Sequence, residues 1–155
     1  MSPMKKILTA LVSLLFFTAN LDAQVDMTWD THGVGFKVPR GFVIKTNNAE
    51  EFTAENDDVF VTIVPIQDKD VSVDDLADVV AAMVKEMDYD LVTDGDAVDV
   101  HNFTGHYARG SKDGANAIIM ALLDPDSATN LIVAAVYTGD FEDQALMIVN
   151  SFYSY

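Results

Sequence analysis

Ala115-Asn-Ala-Ile-Ile-Met-Ala-Leu-Leu123, Asp124-Pro-Asp-Ser-Ala-Thr-Asn130 and Leu131-Ile-Val-Ala-Ala-Val-Tyr137 run consecutively, two apolar stretches around a seven-residue polar turn. Each stretch is apolar at nearly every position, so neither shows the alternation of a half-exposed strand. Strands buried on both faces read this way. The pair predicts an antiparallel hairpin at the centre of a sheet covered on both sides. Nothing in the stretch names a reaction.

Outward from the hairpin, Phe103–Lys112 (FTGHYARGSK) reads as a strand interrupted by Gly105 and Gly110, and Asp113-Gly114 as the turn leading into Ala115. Beyond it, Gly139 closes the hairpin and Asp140 reads as the cap of a last helix, with Asp143 three residues on. Phe141, Ala145, Ile148 and Phe152 share one face of that helix. An earlier helix starts at Ser72, an N-cap with Asp75 placed for a capping box. Val73, Leu76, Val80, Met83, Val84 and Met87 form its apolar stripe, and it should end between Glu86 and Tyr89.

The strands before it are short. Val34, Phe36 and Val38 alternate with Gly35 and Lys37, and Pro39-Arg40-Gly41 turns the chain. Phe42–Thr46, Glu51–Glu55 and the β-branched Val59–Val64 follow, with Asn56-Asp57-Asp58 as a tight turn and Pro65 as a stop. Residues 67–71 read as a polar loop. Asp88–Asp99 reads as an acidic connection, with Val98 and Val100 as a short strand or edge. The order is β-β-β-β-α-β-β-β-α. It predicts an α+β fold: a mainly antiparallel six- to seven-stranded sheet with two main helices, stacked as an α/β/α sandwich.

Residues 1–23 have the layout of a secretory signal peptide. Lys5 and Lys6 precede an apolar run of eleven, Ile7–Phe17, and Ala23 offers a small residue before a cut. A retained anchor helix is the competing reading, but the run is short for a span and ends early at Asn20 and Asp22. With no cysteine, a lipid anchor on cysteine is excluded, and no disulfide supports the fold. Residues 24–155 would then be a single exported domain, periplasmic or secreted, with no membrane span. A chain of that size buries roughly two thirds of its unfolded surface.

The formal net charge is −16; without residues 1–23 the balance is 7 basic against 24 acidic residues. Phosphate backbones and anionic membranes repel such a surface, so nucleic acid is not an expected partner. A basic protein, a cation or plain solubility is compatible with it.

Four stretches, taken in order, resemble the PsbP-like fold. Val34-Gly-Phe-Lys-Val-Pro39-Arg-Gly41-Phe42 is similar to its opening strand, proline turn and aromatic. Val59–Val64 with the helix from Ser72 is similar to its next unit, and Phe103-Thr-Gly-His-Tyr-Ala108 to its Gly-x-x-Ala strand. Ile148-Val-Asn-Ser151-Phe152 is similar to its final helix. The likeness spans nearly all of residues 24–155. Members include the extrinsic photosystem II subunit, a nuclear-import adaptor of the Ran GTPase and bacterial envelope proteins of the DcrB type. The resemblance implies an adaptor or assembly factor rather than an enzyme, and it carries over no binding residue.

Chemistry-bearing residues are sparse. The densest carboxylate run holds Asp88, Asp90, Asp94 and Asp96 as metal candidates, with calcium the ion in question. It is not an EF-hand loop: counted from Asp90, position 3 is Val92 and position 12 is His101, where a bidentate Glu is needed. His101 and His106, five apart on one strand, would point to opposite faces, so zinc lacks a ligand set. Ser72, Ser111, Ser127, Ser151 and Ser154 lie in no Gly-x-Ser-x-Gly elbow. Gly33-Val-Gly35 opens no helix and so is not a nucleotide loop. Abundant carboxylates make any pairing for glycoside chemistry uninformative. Trp29, Tyr153 and Tyr155 are contact candidates because Trp and Tyr anchor interfaces, although covering a sheet edge is the simpler role. Arg40 and Arg109, the only arginines, would each pair a carboxylate, within the chain or on a partner.

The leading expectation is an exported, non-enzymatic binding or accessory protein of the bacterial envelope or exterior that contacts another protein through a sheet face or the acidic loops. A cation or small-ligand binder using residues 88–99 and 124–126 comes second, and a hydrolase third.

Overall fold

The computed structural model describes residues 24–66, 71–127 and 129–155. The signal-peptide expectation and most of the expected 67–71 loop lie outside them. The opening hairpin is present, its first strand buried almost throughout and its second alternating between buried and half-buried positions. β8 (Ala115–Leu123) pairs with β9 (Asn130–Thr138) in one unbroken register, from Ala115 opposite Thr138 to Leu123 opposite Asn130. The pair lies inside a seven-stranded antiparallel sheet of order β3-β4-β5-β9-β8-β7-β6. Its other strands are β3 (Val43–Asn47), β4 (Phe52–Glu55), β5 (Val59–Pro65), β6 (Asp90–Val100) and β7 (Phe103–Lys112). The glycines do not interrupt β7; it runs continuously against β8 from Thr104 to Lys112. Asp113 and Gly114 both take positive φ, 51° and 84°, as a two-residue hairpin turn requires.

One face of the sheet is covered by α1 (Leu76–Glu86). Leu76, Val80 and Val84 are its buried stripe, against Ala108 of β7 and Ile119, Ala121 and Leu123 of β8. Its start is the expected one. The Asp75 carboxylate accepts the Ser72 hydroxyl at 2.8 Å and the Ser72 N–H at 3.4 Å, and one 3₁₀ turn, Val73–Asp75, leads into the helix.

The other face is covered in a way the spacing did not predict. The opening stretch is two strands, β1 (Gln24–Trp29) and β2 (Val34–Pro39), around a short 3₁₀ turn. Both leave the main sheet. With the two-residue β10 (Tyr153–Ser154) they form a second sheet of order β1-β2-β10. That sheet shares its side of the molecule with α2 (Glu142–Val149). The expected helix on each side is therefore present, but a small sheet completes the second layer. Phe36 of β2 stacks on Phe152, centroids 4.7 Å apart, and meets Phe52 edge-on at 5.4 Å. Each fully buried side chain of this kind contributes about 1.5–3 kcal/mol.

Two further readings need correction. Asp140 does not cap α2: it sits inside a 3₁₀ turn, Gly139–Phe141, and Phe141 occupies the N-cap position. Residues 90–100 are not a connection but an edge strand paired with β7, bulged between Leu91 and Thr93 and again between Thr93 and Asp96. The bulges shift the alternation twice, so the run of aspartates does not look like a strand. A charged, bulged strand is also how an edge resists pairing with a second molecule.

Candidate functional site

The residues singled out from sequence are spread over the molecule. Trp29 is fully buried, so it is not an exposed anchor. Its Nε1–H donates to the Asn48 carbonyl at 2.7 Å and its ring lies 4.2 Å from His32. Arg109 bridges β7 to α2: its guanidinium pairs with Glu142 and donates to the Tyr137 hydroxyl at 3.0 Å. Its carboxylate partner is thus internal. Arg40 is exposed in the turn after Pro39. Tyr153 is half-buried, with its ring against Gly35 and 6.5 Å from His101. Tyr155 is 66% exposed, and its hydroxyl donates to Asp30 at 2.5 Å. That bond raises the Tyr155 pKa and lowers that of Asp30.

The aspartate candidates do not converge. Asp88 is in the turn after α1 and pairs with Lys112, whose hydrogen bond and charge lower the Asp88 pKa. Asp90, Asp94 and Asp96 are strung along β6 with exposed side chains. Among the described residues, no three His, Cys, Asp or Glu side chains gather as a metal site. The histidines are also apart: His32 contacts the Ala49 carbonyl and His106 the Gly95 carbonyl, while His101 lies in the β6–β7 turn. Four serines are tied into local structure, Ser72 at its cap, Ser151 on the Ile148 carbonyl, and Ser127 and Ser154 on Asp124.

Asp124 lies in the β8–β9 turn, as the sequence has it, but its side chain is buried and its carboxylate collects donors from three segments. Ser127 donates its hydroxyl at 2.6 Å, Asp126 its N–H at 3.0 Å and Asn102 its amide at 3.3 Å, and the Ser154 hydroxyl completes the set. Burial raises the pKa of this carboxyl, but the hydrogen bonds from Ser127, Ser154 and the backbone outweigh it and the net shift is downward. Asn102 also exchanges bonds with the backbone of Ser154, at 3.1 Å each way. The cluster thus ties β10 to the β6–β7 and β8–β9 turns. The available signal was the serine three residues after the aspartate, the spacing of a side chain that folds back on its own turn.

Recesses on the surface include three lined by the described residues. One of about 610 Å³ lies along the β3 edge and is polar, between Lys45 and Glu55, Asp57 and Asp58. One of about 360 Å³ lies beside Ser72 and Asp124. The third, of about 270 Å³, is lined mainly by apolar side chains, as is the second. Its floor is Val98, Tyr107, Arg109, Ile118 and Met120 of the main sheet, and its wall is Leu146, Val149 and Asn150 at the end of α2. It exists because α2 is only eight residues long and leaves the β6–β7 side of its face uncovered. Leu146 is 37% exposed at the rim. The recess combines an apolar lining with Arg109 and Asn150, the usual character of a binding site. No sequence pattern announced it, since its residues come from four separate elements.

Fold and site together define an α+β protein with a mainly antiparallel sheet and one apolar recess between helix and sheet. Among the described residues no helix is long and apolar enough to cross a membrane. No protein-family model and no curated protein matches the sequence. Solved structures of similar shape include the following two. One is a protein of Bacteroides thetaiotaomicron, 10% identical with a TM-score of 0.45, the match covering 86% of this chain and 48% of that one. This chain therefore spans about half the length of that protein. The other is the Ran-binding protein Mog1p of Saccharomyces cerevisiae, 9% identical with a TM-score of 0.49, covering 84% of this chain and 95% of that one. No residue role is transferred from either.

Proposed function

We propose that residues 24–155 act as an exported, non-enzymatic accessory domain that works by binding another protein. The observation that carries this reading is the solvent-open apolar recess beside Leu146, in a chain whose net charge is −16. Exposed apolar surface is costly in water, and on an otherwise charged body it marks a contact site. The surrounding chemistry fits a binder. The histidines are spread over three separate places, and four of the serines are engaged in caps, helix ends or the Asp124 cluster. The resemblance to the PsbP-like fold, with its adaptors and assembly factors, points the same way. Export is supported by Lys5-Lys6, the apolar run Ile7–Phe17 and Ala23.

The test is expression of the full chain in a bacterial host, fractionation, and mass measurement of the recovered protein. The expected product begins at Gln24 and is found outside the cytoplasm, with a second protein enriched on it after mild cross-linking. Recovery of the uncut chain in the cytoplasm would sink the export half. Absence of any enriched protein would sink the binding half.

A further inference from the structure

We infer that the recess between α2 and the β6–β7 side of the sheet takes one large apolar side chain from a basic segment of the partner. The inference rests on the protein-binding reading and names its site and the partner's chemistry.

Size and lining suit a side chain. At about 270 Å³ the recess lies at the small end of the roughly 300–1,000 Å³ of pockets that enclose drug-sized ligands. It suits instead the anchor of a protein interface, where one aromatic or large aliphatic residue enters an apolar pocket and is ringed by weaker contacts. Val98, Ile118 and Met120 supply the apolar floor, Tyr107 an aromatic surface, and Leu146 a rim that a partner would bury.

Charge selects the flanks of that anchor. Arg109 is the one cationic lining residue, and Glu142 already pairs with it. Asp96 is exposed and lies opposite Tyr107 in the β6–β7 register, so it shares the face onto which the recess opens. Asp90 lies on that face too, opposite Ser111. The whole chain adds a net −16 behind them. An anchor flanked by Lys or Arg is drawn in by this field; one flanked by Asp or Glu is repelled. A second copy of this chain would bring the same negative charge to the contact and is the disfavoured occupant.

The experiment uses the intact protein and three probes: the acetylated, amidated peptides Lys-Lys-Phe-Lys-Lys, Lys-Lys-Ala-Lys-Lys and Glu-Glu-Phe-Glu-Glu. Amide resonances are followed by NMR while each peptide is titrated to millimolar concentration. The basic phenylalanine peptide should saturably shift Val98, Tyr107, Leu146 and Val149. The alanine peptide should bind at least about tenfold more weakly, the loss expected for an anchor. The acidic peptide should shift nothing. Leu146→Trp, which fills the recess from its rim, should abolish the response. Asp96→Lys, on an exposed position, should weaken it while leaving the spectrum of the free protein intact, which covers the case in which the tryptophan variant misfolds. Equal binding of the alanine and phenylalanine peptides, or a response unchanged in a folded Leu146→Trp variant, overturns the inference. A partner that co-purifies equally with wild type and Leu146→Trp defeats this site alone; no partner with either defeats the binding reading itself.

Discussion

Gly105→Ala is expected to destabilise the fold by about 3 kcal/mol or more, at the upper end of what overpacking does. A methyl built on Gly105 would stand 1.8 Å from the Ala121 carbonyl oxygen, 2.9 Å from its carbon and 3.2 Å from the Leu122 Cα. All three atoms are backbone, so no rotamer change relieves the clash. They also belong to β8, which β9 holds from the other side through the whole hairpin. One strand must move away, and the Gly105–Leu122 pairing goes with it. In thermal unfolding the midpoint should fall by about 10 °C for a chain of this size. Gly139→Ala is the comparison: a Cβ there meets nothing within 4 Å, and its effect should stay within about 0.5 kcal/mol. Equal midpoints for the two variants would show that β7 and β8 lie less close than described.

Asp124→Ala should also destabilise, by about 1–2 kcal/mol, for a different reason. The side chain is 3% exposed and serves two hydroxyls, an amide and a backbone N–H. Removing the acceptor leaves those donors without their partner, but Asn102, Asp126 and Ser127 are exposed and Ser154 is half-buried, so water replaces part of what is lost. Asp124→Asn should do less harm, because one amide oxygen still accepts and hydroxyls can turn to receive the NH₂. The two substitutions separate shape from charge. The folded-state pKa of Asp124 is lowered from an unfolded value of 3.8. The unfolded chain therefore binds the proton more readily, and stability rises with pH across this range. This carboxylate's contribution is complete above about pH 4–5 and is lost as the pH falls through the lowered folded value. Urea unfolding at steps between pH 6 and pH 3 should show wild type losing more stability than Asp124→Asn. Parallel curves would mean that the buried carboxylate is not held in its charged form by these donors.

How much of this could be read in advance depended on which physical constraint shaped each segment. The 115–137 hairpin and α1 were legible because burial on both faces and a three-and-four spacing leave marks that little else produces. β6 was not, because an edge strand tolerates polar side chains and two bulges break its alternation. For Trp29 the sequence leaves covering a sheet edge and an exposed contact side by side, although Met27 and Trp29 alternate with Asp26 and Thr28, and that alternation marks β1 turning its apolar side inward. β10 has two residues and no pattern of its own; only its partner strand makes it a strand. The recess was the least legible feature. It depends on where a short helix stops relative to a sheet assembled from distant segments, a matter of placement that no local pattern records.

The second sheet also sets an order of events. The β8–β9 hairpin closes over six residues, 124–129, a local and fast step. β2 instead needs Tyr153 and Ser154 as its second neighbour, and its Lys37 N–H is received by a Ser151 hydroxyl 114 residues away. Closing so long a loop is slow, and it cannot begin during synthesis until residues 151–154 have left the ribosome. Through that interval Trp29, Phe36 and the main-sheet surface beneath them are uncovered. The nascent chain thus passes through a stage with its second apolar face open, when a chaperone or an export factor would find it adhesive and unlocked. Pulse-labelling hydrogen exchange during refolding should protect the amides of residues 117–135 before those of residues 34–38; the reverse order would rule this sequence out.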